Sequence, residues 1–301
     1  MSELKKFYDE FGYVVIKSEI PKDQIQDYRR KILAFFHSNP HERQMTPTSI
    51  LQYLQEIYDI QTNEKLLYAA REIFGPFSFV NNFQIQKNMF NISHVGGWHL
   101  DAQKEYITGE LNSSNDRSHR LAKVGLCLTD EGCRFGQSIE IVPKSHKLNH
   151  NIRVILRTLL NLKYIPLLLK SILIKNLDGK INKGDYVIFD SKLLHRSATG
   201  DEKKTQKRVG FNSYEITDDS KLTIYFEVGE PNSVNTYLQS ALSYVLDSEE
   251  GPDKEKFISD YMRIDRSLIP DWVRELIESY GGKVSIVSEK DRLKAEEIFN
   301  S

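Results

Sequence analysis

From residue 77 to about 226 the chain is a succession of short β-type runs punctuated by Gly, Asn and Asp, and no other feature restricts its fold as much. The runs fall at 79–87, 99–102, 122–128, 138–142, 186–190 and 208–215. Several alternate apolar and polar residues, the period of a strand with one face in a core. They are not spaced as β-α-β units, so an antiparallel sandwich or barrel is expected rather than a parallel sheet.

Helical periodicity frames this stretch. Residues 2–11 and 21–37 read as helices, with Pro21 suited to a first turn and Ile25, Tyr28, Ile32 and Phe35 at helical spacing. A short β run, 12–16, lies between them. Residues 49–58 and 63–74 read as helices that end at Gly75-Pro76. After about residue 236 the pattern returns to helix, over 236–247, 253–266, 270–280 and 289–299. The expected class is α+β, mainly β with flanking helices.

Composition excludes several kinds of partner. Lys and Arg number 41 against 42 acidic residues, which gives no global argument for binding nucleic acid. The two cysteines, Cys127 and Cys133, do not make a disulfide framework and point to a reducing compartment. The start, MSELKKFYDEFGYVV, lacks the apolar core of a signal peptide, and no run is long and apolar enough to span a bilayer. A soluble, cytoplasmic protein is expected.

Chemistry enters at His99-Leu100-Asp101. Residues i and i+2 of an extended chain project to the same side, so one imidazole and one carboxylate there can grip one ion. With eight His and 42 acidic residues, about one His-x-Asp/Glu arises by chance in a chain this long, so the motif alone is weak. Downstream, His195 follows the turn Lys183-Gly184-Asp185 and the β run 186–190. Two imidazoles and a carboxylate form the facial ligand set that holds Fe(II) and leaves positions open for a cosubstrate and O2. Arg208 opens an alternating run and can offer its fork to a carboxylate, or simply be an exposed strand-end charge. His94 is a further imidazole in range of the motif, and with His99 and Asp101 it would make a zinc site.

Taken together, several blocks resemble the phytanoyl-CoA dioxygenase family of Fe(II)- and 2-oxoglutarate-dependent oxygenases. They are FYDEFGYVVIKSEIPKDQIQDYRRKI, FQIQKNMFNISHVGGWHLDAQ, VGLCLTDEGCRFGQSIEIVPKSHK and KGDYVIFDSKLLHRSATG, collinear over about residues 5–215. The resemblance implies a double-stranded β-helix (jelly-roll) core. It implies His99, Asp101 and His195 as iron ligands, Arg208 as the anchor of 2-oxoglutarate, and Gln84 facing that cosubstrate. It implies hydroxylation of an unactivated C–H bond, with O2 consumed and succinate and CO2 released. Related halogenases replace the carboxylate ligand with a small residue, so Asp101 favours hydroxylation. His146, in Pro143-Lys144-Ser145-His146, is read as structural, and Lys144 stands where the family usually has glycine. The domain organisation expected is a single catalytic domain over 1–301, with helical support at 1–76, the jelly-roll core at 77–226 and a helical extension at 232–301.

The core carries a basic, apolar insert at 150–177. Its residues 152–175, IRVILRTLLNLKYIPLLLKSILIK, contain no acidic residue. One reading is a pair of buried helices whose lysines reach water. The other is a lid or interfacial pair that meets an amphipathic substrate or an anionic membrane surface. Residues 104–120, rich in Asn, Ser and charge, read as a mobile loop. The substrate expected is a small molecule or a lipid-linked one such as a glycolipid or acyl chain. The competing classes are a non-catalytic jelly-roll binding module and a small-metabolite hydroxylase. The sequence does not specify an oligomeric state.

Overall fold

The computed structural model describes residues 1–40, 42, 44–45, 47–54, 56–80, 83–86, 97–112, 114–129, 139–162, 166–177, 180–197, 222–247, 269–286, 288 and 293. The alternating runs assemble into two sheets packed face to face. The larger has the order β1 (Tyr13–Ile16), β8 (Tyr186–Asp190), β5 (Leu121–Cys127), β10 (Thr223–Gly229), β3 (Phe77–Val80) and β11 (Gly282–Ser285). On one side β4 (Gln84–Gln86) pairs with β10 and β2 (Gln44–Met45) pairs with β4. The smaller sheet is β7 (Lys175–Asn176), β6 (Ile139–Ile141) and β9 (His195–Ser197). All these pairings are antiparallel except β11 with β3.

The period of two divides the side chains between two cores. Val124 and Leu126 of β5, Ile188 of β8 and Phe226 of β10 leave the outer face of the large sheet. There they meet α2 (Lys22–Ser38) and α5 (Glu64–Phe74), in a core that holds Ile25, Ile32, Leu66 and Ile73. Cys127, Val187 and Phe189 point the other way and meet Ile139 and Ile141 of the small sheet. This two-sheet sandwich with helices on its outer face is the expected α+β architecture.

The N-terminal helix α1 (Glu3–Phe11) starts at a Ser2 cap and ends at Gly12, whose φ is +82°. A Cβ at Gly12 would lie 2.4 Å from Nδ1 of His146, so glycine is needed for both the turn and the close approach. His146 also faces the Asp9 carbonyl at 3.2 Å, which fits its structural reading.

Four expectations change. The 49–58 helix divides into α3 (Pro47–Tyr53) and α4 (Ile57–Gln61), and the break allows Leu54 and Ile57 both to be buried. Strand β10 was not anticipated, although Ile224, Phe226 and Val228 alternate cleanly with Thr223, Tyr225 and Glu227. It is the partner of β5 over the length of both strands. The C-terminal part is not purely helical: after the helices Pro231–Asp247 and Asp271–Ser279 comes β11, which adds to the sheet edge beside β3. Finally, 104–120 is tied down. It contains α6 (Gln103–Ile107), and Arg153 donates to the Asp116 carboxylate at 3.0 Å. Lys192 donates to the carbonyls of Asp116 and His119, each at 2.7 Å. The expected runs at 208–215 and 253–266 lie outside the described residues.

Candidate metal centre

The small sheet carries the centre. His195 opens β9, and its backbone exchanges hydrogen bonds with His99, N–H to O at 3.0 Å one way and 3.2 Å the other. That single bridge is all the strand the His99 motif makes. The chain then turns, because the N–H groups of Asp101 and Ala102 both donate to the Ser191 carbonyl, at 2.9 and 3.0 Å. Trp98 and Leu100, which flank His99, pack with Leu194 against Leu160 of helix α7 (His150–Asn161). The alternation thus holds: the apolar neighbours go to a small core while His99, Asp101 and His195 converge.

The convergence is close. Nε2 of His195 lies 3.6 Å from Oδ2 of Asp101, and Nε2 of His99 lies 3.9 Å from its Oδ1. The imidazole centroids are 4.2 Å apart, and one ligand atom from each of the three residues lies within 4.8 Å of the others. Cis ligands of one divalent ion are about 3 Å apart, so a small inward movement closes the set. Among the described residues this is the group of imidazoles and carboxylates with metal-holding geometry.

The hydrogen bonds show which atoms remain to bind. Nδ1 of His99 faces the Gly97 carbonyl at 2.8 Å, and Nδ1 of His195 faces the Leu193 carbonyl at 2.9 Å. A carbonyl only accepts, so each Nδ1 carries the proton and each Nε2 presents a lone pair to the centre. Burial, with His99 beside it, lowers the His195 imidazole to about 4, so it is neutral at pH 7. Burial alone would raise the Asp101 carboxyl, but Lys123 and the two imidazoles hold it at about 2. Its Oδ2 is buried and accepts no hydrogen bond. A buried charged oxygen without a donor is costly, and a cation between it and two imidazole lone pairs removes that cost. The residues fit a divalent metal.

Sequence reasoning missed the groups behind the centre. Lys123 of β5 places Nζ 3.5 Å from Asp101 and 3.9 Å from Glu227, its cross-strand partner on β10. Burial raises Glu227 to about 7 against the opposing charge of Lys123. Tyr225, next inward-facing on β10, lies opposite Gly125, where a Cβ would come within 2.9 Å of its ring. Gln84 lies opposite Tyr225 on the other side and shares this interior face. The signal for Lys123 was present in LAKVGLC, where it is the charged residue on the face that also carries Gly125 and Cys127. Arg208 and His94 lie outside the described residues.

No protein-family model and no curated protein matches the chain. Solved structures do. EctD from S. alaskensis, determined with 2-oxoglutarate and 5-hydroxyectoine, is 14% identical with a TM-score of 0.52, covering 77% of each chain. The non-heme alpha-ketoglutarate-dependent carbocyclase SnoK from nogalamycin biosynthesis is 14% identical with a TM-score of 0.51, covering 76% of this chain and 84% of that one. HygX from Streptomyces hygroscopicus, with nickel and 2-oxoglutarate bound, is 14% identical with a TM-score of 0.50, covering 77% and 88%. The chain has the double-stranded β-helix fold of the non-heme 2-oxoglutarate enzymes. This is the core implied by the likeness to phytanoyl-CoA dioxygenases. Within the double-stranded β-helix, the His99, Asp101 and His195 cluster opens to solvent on its His99 side, where the side chain is 43% exposed.

Proposed function

We propose that this chain is an Fe(II)- and 2-oxoglutarate-dependent dioxygenase. It hydroxylates an unactivated C–H bond of an organic, amphipathic or lipid-linked substrate and releases succinate and CO2. One observation carries the reading: two imidazoles, each with Nδ1 committed to a carbonyl, aim Nε2 at the two oxygens of the Asp101 carboxylate, whose buried Oδ2 has no donor. The fold shared with EctD and HygX, both solved with 2-oxoglutarate, supports it.

Iron held there supplies O2 activation coupled to decarboxylation of 2-oxoglutarate. The protein's part is position and charge. The Gly97 and Leu193 carbonyls fix the tautomer and tilt of the two imidazoles. Phe189 packs on the His195 ring at 4.6 Å and keeps water from its inner side. Lys123 balances the Asp101 charge. Arg208 is the proposed anchor for the far carboxylate of 2-oxoglutarate, with Gln84 facing the same ligand.

Anaerobic addition of Fe(II) and then 2-oxoglutarate tests the assignment. A visible charge-transfer band, absent with zinc, is the expected result. A protein that binds neither, or that binds zinc and hydrolyses its substrate, would be the binding module or the zinc enzyme instead.

A further inference from the structure

Among the described residues, the insert does not fold as a buried pair. In α7, Arg153 and Leu160 are the buried residues. Ile152, Ile155, Leu159 and Leu162 are 51%, 60%, 40% and 56% exposed, and their spacing puts them along one side of the helix. The next helix, α8 (Leu167–Leu173), adds Leu169 and Ile172 at 48% and 72%. Ile107 of α6 is 61% exposed, and its neighbour Tyr106 stacks on His150 at the start of α7. Large aliphatic side chains are thus gathered in water over a short stretch of chain, a pattern that marks an interaction surface.

Charge and composition select the occupant. Between residues 150 and 175 there is no Asp or Glu, and the charged residues are Arg153, Arg157, Lys163, Lys170 and Lys175. The exposed apolar residues on α7 and α8 are all Ile and Leu. Protein interfaces are anchored by Tyr, Trp and Arg. An exposed aliphatic helix face on a segment that carries basic and no acidic residues instead suits the boundary of an anionic bilayer, even with Arg153 taken up by its buried pair with Asp116. No helix among the described residues is long and apolar enough to cross a membrane, so the contact is with the surface.

The same helix reaches the metal centre from behind. The Asn161 side chain accepts from Trp98 N–H at 2.8 Å and donates to the Trp98 carbonyl at 3.0 Å, one residue from His99. Arg157 donates to Gln103 at 2.8 Å, two residues past Asp101. We infer that the exposed aliphatic sides of α7 and α8 seat on an anionic lipid surface, and that the Asn161–Trp98 bonds tie this membrane-facing helix to the segment that carries His99. This goes beyond the proposed oxygenase activity and stands or falls separately from it.

The test is sedimentation of the full chain with phosphatidylcholine vesicles, with and without phosphatidylglycerol. Co-sedimentation with the anionic vesicles, weakened by salt, is expected. Ile155→Glu together with Ile172→Glu should lower partitioning by about tenfold or more. Because both side chains are exposed, thermal melting should be unchanged. Lys170→Glu should weaken binding only to the phosphatidylglycerol vesicles. No binding by the wild type, or equal binding by the double variant, overturns the proposal. So does a wild-type dimer in solution that Ile155→Glu dissociates, since a second copy would then cover the face. The Fe(II) and 2-oxoglutarate band is recorded on the same variants; it should persist whichever way the vesicle result falls.

Discussion

His99 and His195 exchange two backbone hydrogen bonds across the mouth of the sandwich, and that one bridge sets their rings 4.2 Å apart. A chain that lost the bridge would lose the centre, because Asp101 is placed by the same turn through the Ser191 carbonyl. The bridge is made by backbone atoms and survives side-chain substitution, so the three ligands can be tested singly without dismantling the site.

Asp101→Ala removes the charge between the imidazoles and leaves its own N–H bond to Ser191 in place. Succinate formation from 2-oxoglutarate should fall to background. The loss of metal affinity should exceed the roughly 10–100-fold seen when outer-shell groups are changed. Succinate release and bound metal per chain check it, and near-normal turnover would refute the assignment.

Glu227 gives the metal-free protein a specific pH dependence. Burial raises its folded value to about 7, above the ordinary value of 4.5. The folded state therefore binds the proton more tightly, and that contribution is complete below about 4.5 and lost as pH rises through about 7. Glu227→Gln removes the cost of holding a buried carboxylate. Above pH 7 the variant should be more stable than wild type by about 1–3 kcal/mol, and below about pH 5 the two should melt alike. A difference that is flat with pH would contradict this.

Arg153 is fully buried and donates to the carbonyls of His146 and Leu148 at 3.0 and 2.7 Å as well as to Asp116. Arg153→Met takes the guanidinium from the Asp116 carboxylate, leaving it the Tyr106 hydroxyl and Lys192 at 4.0 Å, and should cost about 3 kcal/mol in urea denaturation. Adding Asp116→Asn should recover part of that loss, which is the signature of a coupled pair.

Lys144 has φ +67° and is the non-glycine residue with positive φ among those described. The left-handed conformation costs an L-residue roughly 1–2 kcal/mol, partly offset in glycine by greater freedom when unfolded. Lys144→Gly should raise stability by up to about 1 kcal/mol even though it removes the exposed ion pair with Glu10. A lower melting temperature would show that the pair matters more than the backbone.

Local pattern made much of this legible. Ser2 and Gly12 bracket the first helix, Asn63 caps α5, and the alternation in β5 and β8 separates an outer core from an inner one. Strand β10 carries the same alternation, but the expected core boundary at 226 cuts through it. Strand β11 had no such signal: its partner β3 lies far back in the chain, and the two meet where Gly282 packs on the Phe77 ring.

By itself the sequence determined the class of fold and the identity of the candidate ligands, since period-two alternation and the residue types His99, Asp101 and His195 are local properties. What only the tertiary structure decided was what those residues face. The bridge between His99 and His195, the place of Lys123 against Asp101, the pinning of 104–120 by Arg153 and Lys192, and the outward aim of Ile155 and Ile172 all come from contacts between distant segments. An apolar helix reads the same in sequence whether its aliphatic face meets a core or water. Only the packing of the rest of the chain settles which side is covered.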